Sequence, residues 1–588
     1  SGASNRPATT ASQTTWGTST VTLGTLPSQP RAGTAYNITA TVTSGATGTV
    51  TFKNGGTTIT GCSAIAVSSN TATCSWTPSV SGNASITADY SGDSAYLAAS
   101  TVSASSVTVS NALCSTTNST TGRYYVMKIT AAGVCDLSAL PTGVESIDVL
   151  VVGGGGGGGT NVGSGGSGGG GYHATNVTAD SNSMLTATVG AGGRAGTPDA
   201  SGSVANPLLD GGNGENSTLA VGATTFTGNG GTGGQTHWSD NKCSGAGYNS
   251  TVIAGVSGTG TGGTALTSGA GGQGSPDFNL ATTAGGAGYS NSITGSATSY
   301  GGGGGGGGWG VSGGAGGAGG GGAGANGTSG TATAGTSGTA NTGGGGGSGY
   351  SCGAGGSGGS GIVIVRYAQV PTISAQPSAY SKTTSQSVTF SVTAAATGAV
   401  AGDLTYQWRK NGTNISGATG STYTISSTVV ADAGTYSVVV KNYGASLAVS
   451  SVTSSDAVLT MSQGSQTITF GTIAGKTYGD AAFTLGATAS SGLAVSYAST
   501  TTGVCTVSGS TLTIVSNGTC SITASQAGDV NWLAATDVSQ SFTVSQKGLT
   551  VSGTTASNKT YDRTVTATPN FGSSTLVGKV GSDDVTLV

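Results

Sequence analysis

GVESIDVLVVGGGGGGG, residues 143–159, runs a β-strand directly into seven consecutive glycines. Ile147 to Val152 is rich in β-branched residues and too short for a helix, so it reads as a strand. A second such run, GIVIVRY at 361–367, closes the tract, and 77 of the chain's 113 glycines lie between Gly153 and Gly361. SMLTATVGAGG (183–193) and STLAVGATTFTGNGG (217–231) are shorter strand signals inside it. Ordering one residue costs about 1–2 kcal/mol, glycine costs most, and it brings no side chain to bury. Such a tract either stays disordered or satisfies its backbone in another way. One way is a bundle of extended polyproline-II-type helices, three residues per turn, which glycine allows to approach closely and to hydrogen-bond to one another. The absence of charge between Asp277 and Arg366 suits such a lattice. An ordered glycine-rich β domain is therefore expected over residues 111–367.

The rest of the composition narrows the class. At 588 residues the chain is too long for a single core, and three to five domains are expected. Charged residues make up 6% and the net charge is -3. Little basic charge is available to neutralise phosphates, which argues against nucleic acid or an anionic membrane as partner. No run of 18 apolar residues suggests a membrane helix. The chain opens on Ser1, so the expectation is a removed signal segment or a late start.

Around the glycine tract the pattern is strand and turn. After an extension, 1–19, the segments TAYNITATVT, GTVTFKNG and ASITADYSGD mark a module at 20–110. LTYQWRKNG and ADAGTYSVVVKN mark another at 368–462, with Trp408 on a central strand and Tyr436 four residues after Asp432. A third spans 463–546, and 547–588 begins a fourth. TCSITASQAGDVNWLAAT in the third module echoes TCSWTPSVSGNASITADYSGDSAYLAAS in the first, the mark of an array. The fold class expected is all-β: tandem β-sandwiches flanking a large glycine-rich β domain that holds polyproline/polyglycine-II-type helices.

On those residues the first module resembles bacterial immunoglobulin-like repeats of large surface proteins, with Trp76 in its core and Cys62–Cys74 tying adjacent strands. Residues 368–462 resemble an immunoglobulin domain. The resemblance implies that the Tyr436 hydroxyl caps a backbone turn and that Phe390 or Val392, facing Val438, replaces the inter-sheet disulfide. The third module resembles another bacterial surface repeat. Residues 547–588 resemble the first half of a YDG-type adhesin repeat, with Tyr561-Asp562-Arg563 at the motif. Residues 122–367, through IDVLVVGGGGGGG, TVGAGG, NTGGGGG and GGSGIVIVRY, resemble a glycine-rich domain of bacterial surface and phage tail-associated proteins.

The eight cysteines fall into neighbouring pairs: Cys62 with Cys74, Cys114 with Cys135, Cys243 with Cys352, and Cys505 with Cys520. Even and locally paired, they read as disulfides in an oxidising compartment, the alternative being reduced, buried thiols. No CxxC spacing suggests zinc. A Cys243–Cys352 bridge would close a long loop, stabilising the glycine lattice by about 4–5 kcal/mol.

Motifs that look chemical do not hold up. Gly153, Gly155 and Gly158 match the dinucleotide fingerprint, but no helix follows to hold a pyrophosphate. GxSxG at Ser167 and Ser357 lies in glycine runs, without the strand-to-helix turn and partner histidine a nucleophile needs. His173 and His237 are the chain's two histidines. Asp583-Asp584 reads as a solvated pair rather than a calcium site. No enzyme, cofactor or metal is expected. Tyr172, Trp238, Tyr300, Trp309 and Tyr350 read either as plugs between glycine helices or as aromatics that bind a glycan or protein receptor.

Two readings follow. One is an extracellular structural protein, a self-associating unit of a bacterial surface fibre, filament or stalk, with a strand near Trp16 to Leu23 completing a neighbour's open module. The other is an adhesin or phage-type receptor-binding protein that presents its glycine-rich domain to a surface glycan or protein.

Overall fold

The computed structural model describes residues 16–161, 163–198, 210–236, 254–259, 261, 263–274, 279–327, 331–398, 403–443 and 449–588. They are nearly all β, with one short 3-10 turn, Val430–Asp432. They divide into two compact units. The first comprises Ser1–Thr372, Ala394–Thr405 and Val440–Val452; the second holds Ile373–Thr393, Tyr406–Val439 and Thr453–Val588.

In the first unit the strand Ser146–Val152 pairs antiparallel with Ile362–Ala368, Val151 opposite Val363. Both lie in a six-stranded sheet, flanked by Tyr124–Ile129 and Gly171–Thr178. Every residue of the two central strands is buried. Their unbroken apolar runs are explained by two covered faces. Val149, Val151, Val363 and Val365 meet the second, four-stranded sheet through Leu185, Leu219 and Phe226. Leu150, Val152, Ile362 and Ile364 are covered on the other side by Tyr289, Ile293 and Tyr300 of a hairpin.

The glycine segments are continuations of these strands. Gly153 follows Val152, Gly190 follows Val189, and Gly361 precedes Ile362. Along 153–159 successive amides turn to three neighbours in rotation. Gly153, Gly156 and Gly159 donate to Gly170, Ser167 and Ser164; Gly154 and Gly157 to Glu215 and Gly212; Gly155 and Gly158 to Gly359 and Gly356. The intervening carbonyls accept in the same rotation, Gly154 from Gly231, Gly155 from Gly193 and Gly156 from Gly346. Segment 153–159 is thus enclosed on all sides by other segments, a hexagonal arrangement that recurs around 301–308 and 343–350.

The module at 20–110 is a two-sheet sandwich. Tyr36–Val42 lies between Val21–Leu23 and Thr71–Trp76, facing a sheet built on Thr49–Asn54 and Gly82–Tyr90. Ile38, Phe52, Trp76, Ile86 and Tyr90 fill the space between. Cys62, whose carbonyl accepts from the Phe52 amide at 3.0 Å, is bonded to Cys74 in the opposite sheet. This bridge joins the two sheets, not adjacent strands as expected, because Cys62 sits on a loop that folds back over its own sheet. Of the segment near Trp16 to Leu23 that the sequence offers to a neighbour, Val21–Leu23 is paired with Ala40–Val42 of its own module and Gly17 is bonded to Ala95 and Leu97.

In the second unit Phe390 stacks on Tyr436 with ring centroids 4.5 Å apart, beside a fully buried Trp408. The Tyr436 hydroxyl donates to the Asp432 carbonyl at 2.8 Å, the corner the sequence suggests. Val392 and Val438 are buried, so packing stands where a disulfide is absent. Residues 394–405 and 440–452 cluster instead with the glycine-rich domain, through Arg123–Asp403 and Lys441–Glu145 ion pairs, both 2.7 Å.

The third module closes over Leu512, Cys520, Ile522 and Phe542, with Cys505 bonded to Cys520. Its echo of the first module aligns on Gly82 and Gly518, both at positive φ (126° and 136°), each opening a long strand. Cys520 therefore corresponds to Ala84 rather than to Cys74. Residues 547–588 form two short two-stranded ribbons, with Tyr561 and Phe571 exposed.

Candidate functional site

At its enclosed glycines the lattice leaves no room for a side chain. A Cβ at Gly155 would overlap the Gly344 carbonyl oxygen, and one at Gly346 the Gly356 carbonyl oxygen. The amides of Gly153, Gly155 and Gly158 are each committed to a carbonyl, so these fingerprint glycines offer no anion cradle. Ser167 is fully buried and its hydroxyl accepts the Thr232 amide at 2.8 Å; the Ser357 hydroxyl donates to Ser337 at 3.0 Å. Both serines serve the lattice.

The candidate binding aromatics are mostly not at a surface. Tyr172, Tyr300 and Tyr350 are 3%, 4% and 8% exposed. Tyr172 stacks near Phe226 and accepts the Gly263 amide at 2.9 Å; Tyr300 stacks near Tyr289; Tyr350 packs with Ala325 and a half-buried Trp309. Of the two alternatives the burial of these three tyrosines fits plugs rather than receptor contacts, Tyr172 and Tyr300 at the sheets and Tyr350 within the lattice. Trp238, His237 and Cys243 lie outside the described residues. Cys352 is disulfide-bonded, as are Cys114 and Cys135 to each other. The Asp583 carboxylate accepts the Tyr478 hydroxyl at 2.8 Å.

The sequence reading missed a buried polar cluster on the central sheet. Asp148 falls where the register with Gly171–Thr178 shifts, so its carboxylate accepts the Asn176 amide at 3.1 Å. Arg366, directly opposite on the next strand, donates to Asp148 from Nε (3.1 Å) and Nη2 (2.8 Å), and to the Ile293 carbonyl. Its guanidinium lies 4.4 Å from the Tyr124 ring centroid. His173, nearby, is half-buried, and among the described residues its Nε2 has no hydrogen-bond partner. Burial pulls its imidazole below the ordinary 6.5, with Asp148 opposing and Arg366 adding to the shift. The signal available in sequence was an acid inside one apolar strand and a base inside the other.

Asp136 is a second hub. Nearly buried, it pairs with Arg31 at 3.2 Å and accepts from Asn111 and Thr186, fastening the first module to the glycine-rich domain. On the first module a cleft of about 500 Å³ is lined by Asn54, Thr57, Thr60, Ser75, Ser79 and Asn83, all uncharged.

Residues 129–368 match the glycine-rich domain family, residues 21–110 the bacterial Ig-like domain (group 3), and residues 370–442 the immunoglobulin domain. That set of domains fits a surface or adhesin-type protein. No curated protein matches the sequence. Similar solved structures include titin domains z1z2 in complex with telethonin (15% identity, 30% of this chain and 98% of that one, TM-score 0.20). They also include extracellular domains 3–5 of Drosophila OTK (11%, 32% and 70%, 0.14) and the Ig1-2 module of a Drosophila receptor protein tyrosine phosphatase (18%, 30% and 99%, 0.13). At TM-scores of this size nothing further rests on these likenesses. Among the described residues no helix is long and apolar enough to cross a membrane.

Proposed function

We propose that the chain is a non-enzymatic, extracellular protein of a bacterial surface, a unit of a fibre, filament or stalk in which β modules carry a rigid glycine lattice. The observation that carries this reading is the enclosure of segment 153–159 by other glycine segments, its bonds rotating with a period of three. We read these segments as polyglycine-II-type helices. A body built this way is stiff, nearly free of charge, and offers spacing and shape rather than chemistry. Local disulfides support an oxidising compartment. If strands add between copies, the ribbons of residues 547–588, with open edges and exposed apolar side chains, are the place for it. Electron microscopy of the native material tests the proposal: regular fibres are expected, and dispersed single molecules overturn it.

A second reading, the adhesin, is favoured by the lattice edge. Exposed small side chains recur there every third residue, at Ala315 and Ala318, Ala323 and Asn326, and Thr336 and Thr339. A regular, uncharged face suits a neutral glycan or a protein surface. Saturable binding of the full chain on a glycan array, lost in Thr336→Arg, would move the assignment to this reading.

A further inference from the structure

The loop Gly528–Leu533 of the third module repeats the turn and gripping bonds of the loop Gly92–Leu97 in the first. Gly92 and Gly528 sit at φ of 76° and 78°. At each, an added Cβ would come within 2.8 Å of a backbone amide across the loop, Ala98 and Ala534. Asp93 accepts from the amides of Ala95 (2.7 Å) and Tyr96 (2.8 Å); Asp529 accepts from those of Asn531 (2.8 Å) and Trp532 (2.9 Å). The loop then grips the segment that leads into its module. Gly17 donates to the Ala95 carbonyl at 2.8 Å and accepts from Leu97 at 3.0 Å. Gly464 donates to the Asn531 carbonyl at 2.9 Å and accepts from Leu533 at 2.8 Å. Each gripped glycine lies against the loop's aromatic ring, Tyr96 or Trp532, where a side chain would collide or crowd.

One position differs in a way that reaches outside the module. Where the first module has Ala95, the third has Asn531, whose Oδ1 accepts the Val430 amide at 2.9 Å. Val430 opens the 3-10 turn of the preceding Ig-like module, the turn whose Asp432 carbonyl receives the Tyr436 hydroxyl. That turn is itself fixed, because Asp432 accepts the Val429 amide at 2.8 Å. The linker between the modules is short: strand Ala457–Ser462 ends two residues before the gripped Gly464, and Gln463 donates to the Asp529 carbonyl at 2.6 Å. The preceding Thr384 side chain also lies beside Gly464.

We propose that Asn531 converts a clasp that both modules share into an inter-module lock. It docks the third module on the tyrosine-corner turn of the Ig-like module and fixes the direction between them. The clasp itself does not need Asn531, because the first module keeps every equivalent bond with alanine there. Asn531→Ala therefore removes the lock and spares the fold.

The test uses the full chain with genetically encoded spin labels at exposed Thr419 and Thr511, one on each module. A single narrow distance distribution is expected. It should broaden in Asn531→Ala and stay narrow in Asn531→Asp, which keeps the acceptor. Amide exchange gives a second readout: Val430 should exchange about fivefold faster or more in Asn531→Ala, the effect of one lost hydrogen bond, with the third module's core amides unchanged. An unchanged distribution and unchanged Val430 exchange overturn the lock, as does equal broadening in Asn531→Asp.

Discussion

At the scale of single residues the glycine-rich domain depends on atoms that are missing. Gly155→Ala forces a methyl group into the Gly344 carbonyl, which cannot shift without disturbing the next segment. Thermal unfolding of that variant should show a loss of about 2–4 kcal/mol, the upper range for overpacking, while Ala318→Ser on the exposed edge should change little. His173 makes a different prediction. Its imidazole is depressed in the fold, so the unfolded chain takes up the proton more readily. Its contribution is intact above pH 6.5 and is lost as pH falls through and below that value. Denaturant titrations at pH 7.5 and 5.5 should show this slope in the native chain and a flatter one in His173→Phe. Equal slopes would remove His173 as the cause. None of this was visible in the residue string, where glycines look interchangeable and one histidine looks like another.

Individual elements were easier to read, and where they failed the reason is physical. The runs VLVV and IVIV announce strands, and Tyr436 four residues after Asp432 announces its corner. Periodicity could not show that these strands align Asp148 with Arg366, since register over two hundred residues of separation leaves no local trace. Removing one member of that pair should be costly. Arg366→Met leaves the Asp148 carboxylate buried without its partner, and a loss of about 3–5 kcal/mol is expected in chemical denaturation. The double change Asp148→Leu with Arg366→Met should recover much of it, because a packed apolar pair carries no desolvation cost. The echo between modules was legible as repetition, but its residue-by-residue register, anchored on the positive-φ glycines Gly82 and Gly518, was not.

For the molecule as a whole, the sequence indicated a charge-poor, β-rich, multi-domain protein, and the domain families at 21–110, 129–368 and 370–442 fit a surface or adhesin-type protein. Which glycine segment neighbours which was beyond the sequence, because identical residues carry no addressing information. The arrangement has a measurable signature in hydrogen exchange. Amides of Gly154–Gly158 and Gly345–Gly347, in enclosed segments, should exchange slowest in the chain, and exposed Ala315 and Ala318 fast. Uniformly fast exchange across the tract would refute an ordered lattice.

The wiring of that lattice also bears on how the chain is made. Gly155 donates to Gly359, about 200 residues downstream, and Gly156 accepts from Gly346. A nascent chain therefore cannot seat its first glycine segment until the last has left the ribosome, and contacts this distant form slowly. Until then the tract, free of charge from residue 278 to 365, lacks part of its lattice. Completion of the lattice is thereby tied to completion of the domain, so a chain cut short before Gly359 leaves the first glycine segment without one of its neighbours.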